Sequence, residues 1–160
     1  MKAATPRDLT FASMAEVRQD VETLRANGYA KAGNWNLAQV CKHLGQWISF
    51  PVAGYPKTGP VMTFIIVMLR NTLGKRSGRE ILRTGKFPSR WRTLKITLPP
   101  PDTDEAAAIR ELDLAIARWE QHAGEFIPSP LFGRLTREEW LRMQLIHCAH
   151  HLSHLVPKAT

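Results

Sequence analysis

The sequence predicts an all-α fold: a four-helix bundle with an extra short helix or irregular basic segment, in a single domain over residues 1–160. Three observations lead there. Apolar residues recur at spacings of three and four through the long segments, the period of a helix buried on one side. Those segments open on side chains able to cap a helix and close on glycine or proline. Only one stretch alternates as a strand would. A chain of 160 residues, 44% apolar and 22% charged, is long and apolar enough to enclose one core.

The first helix opens at Ser13, where Ser-Met-Ala-Glu forms a capping box. Phe11, Met14, Val17, Val21 and Leu24 make its apolar stripe, and Asn27-Gly28 ends it. A second helix starts near Asn36, with Gln39 in the reciprocal position, and extends to about Gly54 unless Pro51 bends it or ends it early. Gly59-Pro60 opens a third, ended near Leu73 by Gly74. Arg79–Thr84 has room for another turn or two, Trp91–Leu98 alternates weakly as a short strand, and Pro99-Pro100-Pro101 is a break. The fourth long helix begins at Asp102 or Thr103. Its seam runs Ile109, Leu112, Ile116, Trp119, Ala123, Phe126 before Pro128 and Pro130 stop it. The last opens on the capping box Thr136-Arg-Glu-Glu139 and ends before Pro157.

The longest apolar run, Val61–Leu69, is interrupted only by Thr63. A membrane span needs roughly 20 residues, so this run reads as a buried helix, with apolar surface to spare for a homodimer. No membrane partner is expected. Met1–Arg7 lacks the apolar stretch of a signal peptide. The two cysteines, Cys41 and Cys148, are too few for a disulfide scaffold. Both features suit a cytoplasmic protein. The formal charge is +8, and nine cations between Arg70 and Lys95 face one acid, Glu80. That segment reads first as solvated surface and second as an anion-attracting face for nucleic acid, membrane or an acidic substrate.

The chemistry lies in the histidines. Four of the six, His147, His150, His151 and His154, fall within the last helical segment. Residues four apart on a helix return to within ~40° of each other, so two such imidazoles can chelate one ion. Of the pairs His147/His151 and His150/His154, the first borders the apolar arc of its helix, whereas His150 lies on the more polar side and His154 falls in line with His147 two turns further on. His43 has the same placement, at the margin of the second helix's apolar arc. If the two helices face each other, three imidazoles converge, as bundle metal sites require. The competing reading is an interface histidine at His43 and a pair complementing the helix dipole. His122 is expected on the surface, and both cysteines in the core. Trp47 and Trp140 are candidate pocket walls or core residues. Gln144, one turn before His147, is a candidate substrate or ligand-supporting amide, or a solvated one.

Gly33-Asn-Trp-Asn-Leu-Ala-Gln-Val-Cys-Lys-His43-Leu44, with Pro51-Val-Ala-Gly-Tyr-Pro56 after it, resembles the second helix of the DinB superfamily, in an uncharacterised bacterial branch. Pro130-Leu-Phe-Gly-Arg-Leu-Thr-Arg-Glu-Glu-Trp140 and His147-Cys-Ala-His-His151-Leu-Ser resemble its last helix, and Arg7-Asp-Leu-Thr-Phe-Ala-Ser13 its opening. Leu73–Pro101 matches poorly. The resemblance implies a four-helix bundle whose three histidines, here His43, His147 and His151, hold a divalent metal ion, zinc or nickel. It further implies a small-molecule substrate and a metal-dependent transferase or hydrolase that uses a low-molecular-weight thiol. The sequence departs from the superfamily at Leu152, Ser153 and His154, where Arg-Gly-Gln is common, and from the branch at Ser129, where histidine is frequent. The alternatives are a non-catalytic metal-binding or stress-response bundle, and a nucleic-acid-binding protein acting through residues 70–95.

Overall fold

The computed structural model describes residues 4–57, 59–87 and 98–158, with the side chain of Met62 left out of account. The chain is mostly helical, with one small sheet. The order is α1 (Met14–Asn27), β1 (Tyr29–Lys31), α2 (Leu37–Ala53), α3 (Pro60–Leu69), a π turn (Arg70–Gly74), α4 (Lys75–Thr84), α5 (Glu105–Gln121), α6 (Arg137–Leu152) and β2 (Leu155–Pro157).

Side-chain caps set the starts of the core helices. The Ser13 hydroxyl accepts from the Glu16 N–H at 3.3 Å, while the Glu16 carboxylate accepts from the Ala12 N–H at 2.8 Å. Asn36 with Gln39 opens α2, and Thr136 with Glu139 opens α6, each as a full capping box. These bonds satisfy amides that the first helical turn leaves without partners. Pro51 does not end α2, which runs two residues further to Ala53 and closes at Gly54, φ 103°. α5 starts later than the sequence suggests, at Glu105 after the Asp104 cap, and stops at Gln121. Ala123 and Phe126 therefore lie beyond the helix rather than on its seam; Phe126 still stacks on Trp119 at 5.4 Å.

One core joins α1, α2, α5 and α6, around Leu24, Leu44, Ile48, Leu112, Ile116, Met143 and Leu152. α2 and α5 pack closely at Gly45, where an added Cβ would sit 3.3 Å from the Leu112 Cα. Both cysteines are buried in this core and free. Burial pushes both thiols up, Cys148 to about 12, so they are small packing groups rather than nucleophiles.

Three expectations are corrected. Gly74 does not end the third helix. It keeps right-handed helical geometry, and the backbone continues through the π turn into α4 as far as Thr84. Its lack of a side chain serves close packing instead, since a Cβ there would collide with the Leu131 carbonyl. The Val61–Leu69 run is not buried. Val61 is 73% exposed, Phe64 65% and Met68 53%. Finally, the last helix ends earlier than expected, at Leu152. β1 pairs antiparallel with β2, with Ala30 opposite Val156, so Leu155 belongs to a strand and not to the last helix. The alternating residues 91–97 lie outside the described residues.

Candidate metal centre

Two capped helices and one small sheet assemble the site. The Asn36–Gln39 box fixes the start of α2 and places His43 two turns on, 5% exposed. The Thr136–Glu139 box starts α6, whose later turns carry His147, 4% exposed, and His151, half-buried. The sheet supplies the third side. Ala32 N–H donates to the His154 carbonyl at 2.8 Å and Lys158 N–H to the Gly28 carbonyl at 3.0 Å, extending the β1–β2 ladder at both ends. The loop after β1 is thereby held against the end of α6, and Trp35 lies on the ligand rings. The N-terminal segment is tied to the same place. Arg7 meets both Asp20 oxygens at 2.7 Å and donates to the Leu152 carbonyl at 3.0 Å.

The three imidazoles meet. The His43 ring is 5.2 Å from His147 and 4.6 Å from His151, centroid to centroid. The Nε2 atoms of His147 and His151 are 3.1 Å apart. One nitrogen from each of the three lies within 4.8 Å of the others, and together they could hold a metal ion. Zn–N bonds of ~2.0–2.1 Å in a tetrahedron put ligand nitrogens about 3.3 Å apart, so side-chain adjustments of about 1.5 Å or less would complete the site.

The electrostatics fit the same ion. Burial, then the neighbouring His151 and His43 rings, hold the His147 imidazole well below its ordinary value. Burial, then His43, push His151 down to about 2. All-nitrogen ligands must be neutral to bind, and these two are neutral at pH 7. His147 Nδ1 is buried without a hydrogen-bond partner among the described residues. The cluster holds no carboxylate, so a bound divalent ion would keep its net positive charge, which suits an anionic ligand.

Aromatic rings close the surroundings. Trp35 stacks on His151 at 5.3 Å with 7° between planes and meets His43 edge-on at 5.1 Å. Trp47 covers His147 at 4.2 Å, and Phe87 lies 5.1 Å from the same ring. On the His151 side a cavity of about 410 Å³ adjoins the site, lined by Gly33, Asn34, Trp35, Val40, Leu98, His150, His151 and His154.

The predicted residues are thus brought together at His43, His147, His151 and Trp47. Trp140 packs instead toward Phe126, 6.5 Å away, in the core. Gln144 is fully buried rather than solvated, with both amide atoms lacking a partner among the described residues. His122 caps the end of α5, half-buried beside Phe126. Ser129 is buried, and its hydroxyl accepts from the Leu131 and Phe132 N–H groups. Sequence reasoning missed Trp35, Phe87 and the lining role of His150 and His154. Trp35 carried one signal: it immediately precedes the Asn36 cap, where an apolar residue often packs onto the new helix. Phe87 follows the left-handed Gly85 and has no periodic signature.

No curated protein and no solved structure matches the chain. The family described as "Protein of unknown function (DUF1569)" matches residues 3–158, and the chain belongs to it.

Proposed function

We propose that this DUF1569 protein is a divalent-metal-dependent enzyme, a transferase or hydrolase, on a four-helix bundle of the DinB kind formed by α1, α2, α5 and α6. The observation that carries the reading is the convergence of His43, His147 and His151 beside a cavity into which His151 faces. A structural site that only joins helices is closed, whereas a catalytic one keeps a position open to a small molecule. Zinc or nickel suits three imidazoles. When bound, such an ion supplies Lewis acidity and lowers the pKa of a thiol or water that reaches it.

The chain's own residues perform the remaining tasks. His147, buried and held neutral, presents its lone pair without first having to lose a proton, and His43, also buried, presents its ring from α2. Trp35 fixes the plane of His151 by stacking, and Trp47 shields His147 from water. Asn34 and the rings of His150 and His154 offer hydrogen bonds to a substrate held in the cavity, and Trp35 and Val40 offer an apolar wall. This lining favours a small molecule with one apolar and one polar end. The resemblance to the DinB superfamily supports a low-molecular-weight thiol as the co-substrate, which would enter as an anion. His43→Ala should abolish both metal retention and conjugation of a thiol to a model aryl halide. A His43→Ala protein that keeps full activity without metal would overturn the proposal.

A further inference from the structure

The exposed third helix calls for a partner outside the metal site. Over Val61–Leu69 the described side chains are exposed on every face except at Ile66, which is half-buried. Leu73, in the π turn, is 61% exposed. A contiguous apolar surface of this kind marks an interaction site. The same continuous backbone then becomes basic: Arg70, Lys75, Arg76, Arg79, Arg83 and Lys86 follow within seventeen residues, with Glu80 the only acid, and Glu80 is bound to Arg83. No carboxylate among the described residues pairs with Arg70, Lys75, Arg76 or Arg79. Arg70, Lys75, Arg79 and Arg134 line a cavity of about 570 Å³ whose one acid, Glu139, is engaged with the Thr136 N–H at 2.8 Å.

We infer that α3 and the basic turn after it form a docking surface for an anionic lipid bilayer. Three features select this occupant. The helix is exposed nearly all round, and acyl chains can surround a rod, whereas a protein face covers one side of it. Its ten residues measure about 15 Å, the depth of one leaflet of a ~30 Å hydrocarbon core. No helix among the described residues is long and apolar enough to cross a membrane, so the contact is with the surface. The charge is complementary to phosphodiester headgroups, and the basic cavity beside the helix receives them. A second copy of the chain would bring the same six cations against themselves. Nucleic acid would satisfy the cations and leave the apolar helix in water.

The test is co-sedimentation of the full-length, metal-loaded protein with vesicles of phosphatidylcholine alone or with one third phosphatidylglycerol. Binding is expected to the anionic vesicles, at least tenfold tighter than to the neutral ones. Phe64→Asp with Met68→Asp, both at exposed positions, should lower binding at least tenfold while metal content and the helical circular dichroism stay unchanged. Lys75→Ala with Arg79→Ala should lower it about twenty-fivefold, about fivefold for each cation near an anionic surface. Failure of the native protein to sediment with anionic vesicles overturns the inference. So does native-like binding by the Asp variant, or a native dimer in light scattering that the Asp variant dissociates. Tighter binding to a DNA duplex than to vesicles, unaffected by the Asp substitutions, overturns it in favour of nucleic acid.

Discussion

Acidifying the metal-free protein from about pH 7.5 to about pH 5.5 is expected to lower its stability by about 2.7 kcal/mol through two histidines. His147 and His151 are both displaced downward from 6.5, His151 to about 2, each chiefly by burial, then by His151 and His43 for His147 and by His43 and His150 for His151. Between 6.5 and the folded-state values the unfolded chain binds protons that the folded chain refuses. The stabilisation is therefore complete above 6.5 and is lost as pH falls. Each histidine loses about 1.4 kcal/mol over that interval, since its folded form stays neutral while its unfolded form protonates. His150, lowered by burial and then by His154, adds in the same direction. Two units of acid thus remove a large part of a typical 5–15 kcal/mol of stability. Urea denaturation of chelator-treated protein at the two pH values measures the loss, provided the slope with denaturant is constant. His151→Gln should remove about half of the pH dependence. A midpoint that does not move between the two pH values would refute the claim that these rings are buried neutral.

Three further outcomes follow from the packing. His151→Ala should weaken zinc binding by more than about 100-fold, because loss of groups merely supporting a ligand already costs 10–100-fold; competition with a chromogenic chelator reads this directly. Gly45→Val should destabilise the fold by about 1–3 kcal/mol, because its side chain meets the Leu112 backbone rather than a movable group, and thermal unfolding reports it. Asp20→Ala should cost about 1–3 kcal/mol by leaving the half-buried Arg7 guanidinium without its carboxylate, measured by urea titration.

The sequence made the site more legible than its surroundings. Ser13, Asn36 and Thr136 announce helix starts because capping is a local interaction between residues three apart. His147 and His151 announce a chelate because helical geometry alone aligns them. His43 needed the added inference that two apolar stripes face each other. Trp35 stayed hidden because it reaches His151 only through a pairing of Tyr29–Lys31 with Leu155–Pro157. Three-residue strands carry no readable alternation, and the partners lie at opposite ends of the chain. The Val61–Leu69 run misled for a different reason. An apolar stretch interrupted only by Thr63 signals only that water is not its preferred neighbour, and the burial it suggested is absent from the fold. Gln144 misled similarly. An amide near the border of a helical stripe falls on either side of it, and the neighbouring helices here enclose it.

The most direct test of the metal centre is X-ray absorption at the zinc edge on protein loaded with one equivalent of zinc. The geometry of His43, His147 and His151 predicts three imidazole nitrogens at about 2.0–2.1 Å and one further light ligand. An all-oxygen shell, or a spectrum unchanged by His43→Ala, would contradict it.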